Sequence, residues 1–230
     1  SEVDGHGGYF GGKFCLDHVG PGEYCNFQRP KVDLHDSAVL QKIARLDCYF
    51  ENRVDSNGFN GAVLVSYKGT PIFERYYGYK NYLNKERLNY RSSFQIASTT
   101  KTFTSAAILL LYQNGYLGLD DTLQKFFPKL PYKGITVRML LNHRSGLPSY
   151  LNFSELYWKD KKKLMSNQDV LNLLITFKPK ALALPNKNFY YNNTNYVLLA
   201  LIVEKASGMN FCDFLHQHIL RKTGKYAVPA

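Results

Sequence analysis

The sequence contains no apolar run near the length of about 18 residues that a membrane-spanning helix needs. Its longest, Tyr196 to Val203, suits a buried helix, and no membrane span is expected. Cys-x-x-Cys is also missing. The four cysteines, Cys15, Cys25, Cys48 and Cys212, are too scattered for a zinc ribbon or a dithiol redox site, so no metal site is expected. Cys15 and Cys25 bracket a Gly/Pro-containing loop that a disulfide would close. Unpaired thiols, with Cys48 and Cys212 buried in helices, are the other reading. Acidic residues are in deficit, 18 against 29 Lys and Arg, for a net charge of +11. That balance suits a solvated, lysine-rich surface or a partner carrying a carboxylate. The basic residues are dispersed, and the one tight run, Lys159-Asp160-Lys161-Lys162-Lys163, is broken by an aspartate. No zinc-finger or RNA-binding signature accompanies them, so no nucleic-acid partner is expected. Gly7 to Lys13 matches the start of a phosphate-binding loop. Phe14 stands where a Ser or Thr should hold magnesium, and no strand precedes it, so no nucleotide cofactor is expected.

What is present is enough for a sizeable core: 230 residues, 45% of them hydrophobic. Residues 1–32 are glycine-rich and aromatic without a period and read as an N-terminal extension. The chain begins at Ser1 with neither an initiator Met nor a signal peptide, the pattern of a processed or trimmed chain, which leaves room for an export signal removed upstream.

From residue 33 onward the pattern is that of one α/β (α+β) domain, residues 33–230. Asp36 is placed to cap a helix through Val39, Leu40, Ile43, Leu46 and Phe50. Gly61–Tyr67 and Ile72–Tyr77 read as a hairpin around Lys68-Gly69-Thr70-Pro71. A helix from about Ser98 to Asn114 is apolar nearly all round, which predicts a central, buried element stopped by Gly115. Further helices are expected near Thr136–Asn142, from Ser166 with Asp169 in a capping box, and from Thr194 to about Ser207, ended by Gly208.

The chemistry concentrates on Ser98 and Lys101. Residues three apart on a helix share a face, so a hydroxyl in the first turn and an amine one turn later can touch. The backbone N–H of Ser98 would be one of the unpaired donors at the helix start, aimed where an oxyanion could form. This is the only Ser-x-x-Lys in the sequence. Tyr-x-Asn is uninformative by itself, with seven matches. Tyr191-Asn192-Asn193 stands out by placement, on a polar loop downstream of Ser98 and directly before an apolar helix. His143, in Leu140-Leu141-Asn142-His143-Arg144-Ser145-Gly146-Leu147-Pro148, sits where a helix runs into a turn. It reads as a helix C-terminal histidine bonding carbonyls and favoured by the helix dipole rather than as a catalytic base.

Taken together, Ser98-Thr-Thr-Lys101, the His143-x-Ser145-Gly146-Leu-Pro148 stretch and Tyr191-x-Asn193-Thr-Asn-Tyr resemble the serine β-lactamase and penicillin-binding-protein superfamily. The closest likeness is to its class C-like branch, with D-alanyl-D-alanine carboxypeptidases and esterases, over about residues 36–220. The Glu-x-x-Leu-Asn of class A enzymes is absent downstream of Lys101. The resemblance implies a β-lactamase/transpeptidase-like fold, a helical region beside an antiparallel sheet. It implies a serine hydrolase without cofactor, periplasmic or secreted, acting on β-lactams or D-alanyl-D-alanine peptides or esters. Ser98 would be the nucleophile. Lys101 would take its proton or keep Tyr191 ionised, and as a base at neutral pH it would need about 4 kcal/mol of bias toward its neutral form. Asn193 would contact the substrate amide.

The family's third motif, Lys/His-Thr/Ser-Gly on a strand, is not expected at Lys222-Thr223-Gly224, which directly follows a helical pattern. With about twenty residues after Gly208, three strands of the family's five-stranded sheet are expected to be missing, as in a C-terminally truncated chain. The alternative reading is a catalytically inactive member that at most binds a peptidoglycan-like ligand.

Overall fold

The computed structural model describes residues 31–160 and 162–221. The Cys15–Cys25 pairing, the Gly7–Lys13 match, Lys222-Thr223-Gly224 and all but the last two residues of segment 1–32 lie outside them. The described residues form two compact units, 31–95 and 96–221.

In the first unit, Asp36 caps α1 (Ser37–Asn57), its carboxylate accepting from the N–H groups of Ala38 and Val39 at 2.7 and 3.3 Å. The packed face of α1 buries Val39 and lays Phe50 against Phe73 and Tyr77, ring centroids 5.9 and 6.0 Å apart. Cys48 stands two residues from Phe50, on the far side of the helix. It is a free, exposed thiol, and so is Cys212; neither is buried as the sequence reading held.

Strands β1 (Gly61–Tyr67) and β2 (Thr70–Tyr77) pair antiparallel. The turn between them is shorter than expected. Lys68 and Gly69, at φ 48° and 81°, make a two-residue turn with both residues left-handed, the form whose twist matches a hairpin. Thr70 and Pro71 therefore belong to β2, with Pro71 at a register irregularity where a missing N–H is tolerated. Short strands β3 (Tyr79–Asn81) and β4 (Glu86–Arg87) make a second pair. Among the described residues no sheet exceeds two strands.

The second unit is helical: α2 (Thr100–Gln113), α3 (Leu123–Phe126), α4 (Val137–Leu141), α5 (Tyr150–Tyr157), α6 (Asn167–Phe177), α7 (Asn193–Ser207) and α8 (Phe211–Leu215), then a π-helical stretch to Leu220. Its centre is α7, on which α2, α4, α5, α6 and α8 all pack. Six consecutive residues, Leu198 to Val203, are buried, so no side of that helix faces water there. Truncating Leu198 or Ile202 to alanine removes a fully enclosed side chain, a change that costs about 2–5 kcal/mol.

The helix expected to be buried all round, α2, instead buries one face through Thr104, Ala107, Ile108 and Leu111, leaving Phe103 and Leu109 half-buried. It also starts later than expected, because Ser98 belongs to a separate 3₁₀ turn, Ala97–Thr99. At α6 the expected capping box is present: Ser166 Oγ accepts from the Asp169 N–H at 3.1 Å, and Asp169 accepts from the Ser166 N–H at 3.0 Å.

Candidate active site

The site is assembled from three segments of the helical unit. The first is the 3₁₀ turn leading into α2, which begins with Ala97 at φ 42°, an uncommon left-handed conformation for a residue with a Cβ. This kink puts Ser98 one turn ahead of Lys101. Lys101 Nζ donates to Ser98 Oγ at 3.1 Å, and Tyr191 OH, from the loop before α7, donates to the same oxygen at 2.7 Å. Lys101 Nζ also lies 5.0 Å from the Tyr191 ring centroid and 5.6 Å from that of Tyr196, so two aromatic faces cradle the ammonium.

Charge follows from this geometry. The hydrogen bond with the Lys101 ammonium, and then that with Ser98, hold the Tyr191 phenol below its ordinary value of 10.0, while burial opposes them weakly. Tyr132 shows the opposite case. Its phenol is enclosed where it donates to the Pro179 carbonyl, and burial pushes it up to about 12. Burial at the triad is lower than the sequence suggested: Lys101 is half-buried, and Ser98 and Tyr191 are exposed. Asn193 joins Ser98, Lys101, Tyr150, Tyr196 and Phe103 around a cavity of about 610 Å³.

The second segment is the turn after α4, residues 143–148, laced to the third, the chain from 182 to 192. The Gly146 carbonyl accepts from Leu182 N–H, that of Arg144 from Asn186 N–H and that of His143 from Tyr190 N–H, each at 2.8 Å. Arg144 also donates through Nε to Asn186 Oδ1 at 2.8 Å. Gly146, at φ 69°, lies so close to the other segment that a Cβ there would sit 2.1 Å from the Ala183 carbonyl oxygen.

His143 departs from the sequence reading. Its ring bonds no helix carbonyl; Nδ1 instead faces the Asn192 backbone N–H at 3.1 Å and Asn195 Nδ2 at 3.2 Å. The ring packs against Tyr191 and Tyr196 with centroids 4.6 and 5.1 Å apart, and against Phe189 edge-on at 5.9 Å. Burial, and then the charge of Lys101, push the imidazole below its ordinary 6.5, so the ring is neutral where a helix-dipole role would want it charged.

Around it is a buried polar cluster the sequence did not single out. Ser145 Oγ donates to Asn195 Oδ1 at 2.6 Å, and Asn192 caps α7 through the Thr194 N–H while its amide donates to the Leu147 carbonyl. The available signal was four consecutive polar residues, 192–195, opening an otherwise apolar helix. Among the described residues no group of three or more His, Cys, Asp or Glu comes together to hold a metal, and no helix is long and apolar enough to cross a membrane.

Comparison with known proteins gives this arrangement its relatives. Residues 46–226 match the Beta-lactamase family model. The chain is 39% identical over 183 residues to Penicillin-binding protein 4* of Bacillus subtilis, covering 80% of this chain and 40% of that protein. Among solved structures, the octameric penicillin-binding protein homologue from Pyrococcus abyssi is similar at 29% identity and a TM-score of 0.67, over 78% of this chain and 42% of that one. The D-amino acid amidase from Ochrobactrum anthropi is similar at 31% identity and a TM-score of 0.58, over 71% and 44%. The chain thus spans about 40% of the length of the curated relative it matches. With the family model matched over most of its length, and with both a helical region and small antiparallel sheets in the chain, it belongs to the beta-lactamase family of serine hydrolases and penicillin-binding proteins.

Proposed function

We propose that the site performs acyl transfer through a Ser98 acyl-enzyme, on β-lactams or on amides and esters of D-alanyl-D-alanine type. The observation that carries this reading is the position of Ser98 Oγ, within hydrogen-bond reach of both Lys101 Nζ and Tyr191 OH. As Ser98 Oγ bonds to the substrate carbonyl carbon, its proton passes to the Tyr191 oxygen in its ionised form, the form that the neighbouring Lys101 charge favours over the phenol that donates to Ser98 at rest. The same proton then reaches the departing amine or alcohol as the tetrahedral intermediate collapses, and water attacks the acyl-enzyme by the reverse use of the tyrosine. Asn193, which lines the cavity, would bond the substrate's amide. The basic surface suits a substrate carboxylate, and a periplasmic or secreted location would bring the protein to cell-wall peptides. The amidase named among the similar structures supports a D-configured substrate.

The test is incubation of the folded protein with a fluorescent penicillin, followed by mass analysis of the adduct. The reading expects one covalent label on Ser98, absent in Ser98→Ala. A folded protein that takes no label from penicillins or from D-alanyl thioesters overturns it.

A further inference from the structure

Four groups around His143 donate hydrogen bonds in one direction. Leu147 N–H donates to Ser145 Oγ at 3.1 Å, so the Ser145 hydroxyl hydrogen is free to go to Asn195 Oδ1, 2.6 Å away. That bond fixes which end of the Asn195 amide is oxygen, and its NH₂ is therefore the end that faces His143 Nδ1 at 3.2 Å. The Asn192 backbone N–H points at the same nitrogen from 3.1 Å. Two donors converge on Nδ1, so it must be a bare acceptor with the ring proton on Nε2.

The same residue grips the neighbouring loop twice. The His143 carbonyl holds Tyr190 N–H and its Nδ1 holds Asn192 N–H, the residues on either side of Tyr191, while the ring packs on the Tyr191 ring. The ring contact with Tyr191, whose OH bonds Ser98 Oγ, links His143 to the serine.

We propose that His143 is a positioning residue: as a neutral acceptor it clamps the loop on both sides of Tyr191 and so keeps the phenol on Ser98. The titratable groups around the ring are Lys101 from α2, Tyr191 from the loop and Tyr196 from α7; the adjacent Arg144 is engaged with Asn186 and Lys187. The positive charge of Lys101 favours the uncharged ring the clamp needs. A second proton would put a donor on Nδ1 against two donors, releasing the Asn192 N–H.

Two variants separate the clamp from simple packing. His143 sits at φ 55°, which asparagine tolerates, and an Asn side-chain oxygen can take the place of Nδ1 without titrating. His143→Phe keeps a ring and removes the acceptor. The primary readouts need no substrate. In tyrosine labelled with ¹³C at the oxygen-bearing ring carbon, with Tyr191→Phe for assignment, the Tyr191 ionisation should stay low in His143→Asn. In His143→Phe it should return toward 10.0, the ordinary value. In the unaltered protein the Asn192 amide shift should follow the imidazole titration, and in His143→Asn it should be flat.

The kinetic arm rests on the acyl-transfer reading. Displacement of the phenol by about 1 Å should slow Ser98 labelling on the order of a hundredfold in His143→Phe, with His143→Asn close to the parent. Equal Tyr191 ionisation in the two variants, or an Asn192 amide that ignores the imidazole titration, overturns the clamp whether or not penicillin labels the protein. Absence of label with the spectroscopic pattern intact overturns the reaction and leaves the clamp standing.

Discussion

Replacing Gly146 with alanine tests the lacing that carries Tyr191. Two separate costs are expected. The first is conformational: at φ 69° an alanine is held in the left-handed region, which costs about 1–2 kcal/mol. The second is steric, since the new Cβ would meet the Ala183 carbonyl oxygen at 2.1 Å and its carbon at 2.8 Å, both backbone atoms that no rotamer change can move. Relief requires the two segments to part. That strains the bonds from Leu182 and Ala183 N–H to the Gly146 carbonyl, 2.8 and 3.3 Å long, each contributing about 0.5–1.5 kcal/mol. The sum is about 2–5 kcal/mol.

Gly134 supplies the control, because at φ 74° it has the same conformational demand with nothing within 4 Å of an added Cβ. Gly134→Ala should therefore cost about 1–2 kcal/mol and no more. Urea denaturation of both variants measures the difference directly, and near-equal midpoints would show that the close approach of the two segments plays no part in holding the fold.

Three further outcomes are expected. Tyr191→Phe and Lys101→Met should each lower the rate of Ser98 labelling by about 10²–10⁴-fold, the range of a positioned proton-transfer group, with the denaturation midpoint almost unmoved. Because the His143 pKa is depressed in the fold, its contribution to stability is complete above the unfolded value near 6.5 and is lost as pH falls through the folded one. Denaturation midpoints measured downward from pH 7 should therefore drop, and drop less in His143→Asn. Ser166→Ala should cost about 1 kcal/mol by removing the reciprocal cap of α6, read by the same denaturation and without effect on labelling.

Local features were legible in the sequence because their causes are local. The i, i+3 spacing of Ser98 and Lys101, the Asp36 cap and the Ser166–Asp169 box depend on residues within one turn of each other, and the placement of Tyr191 before an apolar helix singled it out among seven similar matches. What stayed hidden depends on partners far apart in the chain. Ser145 meets Asn195 across fifty residues, and no periodicity announces it. His143 was read from its helix end alone, where the dipole argues for a cation. Two long-range effects, burial and the Lys101 charge, reverse that expectation. Cys48 and Cys212 were assigned to the interior from residue type, whereas the helical position of Cys48 relative to Phe50 decides its exposure. The breadth of the buried face was likewise assigned to the wrong helix: α2 is as apolar as α7, but only α7 has neighbours on every side.

The enclosure of α7 also constrains how this protein can vary in length. Asn193 and Asn195 lie in the first turn of the helix and Leu198 to Val203 follow without a solvent-facing side. One residue inserted between them would rotate everything upstream by about 100° relative to the core. The asparagine that lines the cavity and the one that orients the histidine would then both turn away from their partners. An exposed helix can absorb such a slip by sliding its polar face; this one has no polar face to slide. Between Asn192 and Val203 the chain can change its letters but not their number, whereas the exposed stretches at Lys159–Asp160 and Lys162–Lys163 can lengthen or shorten without turning any helix of the core.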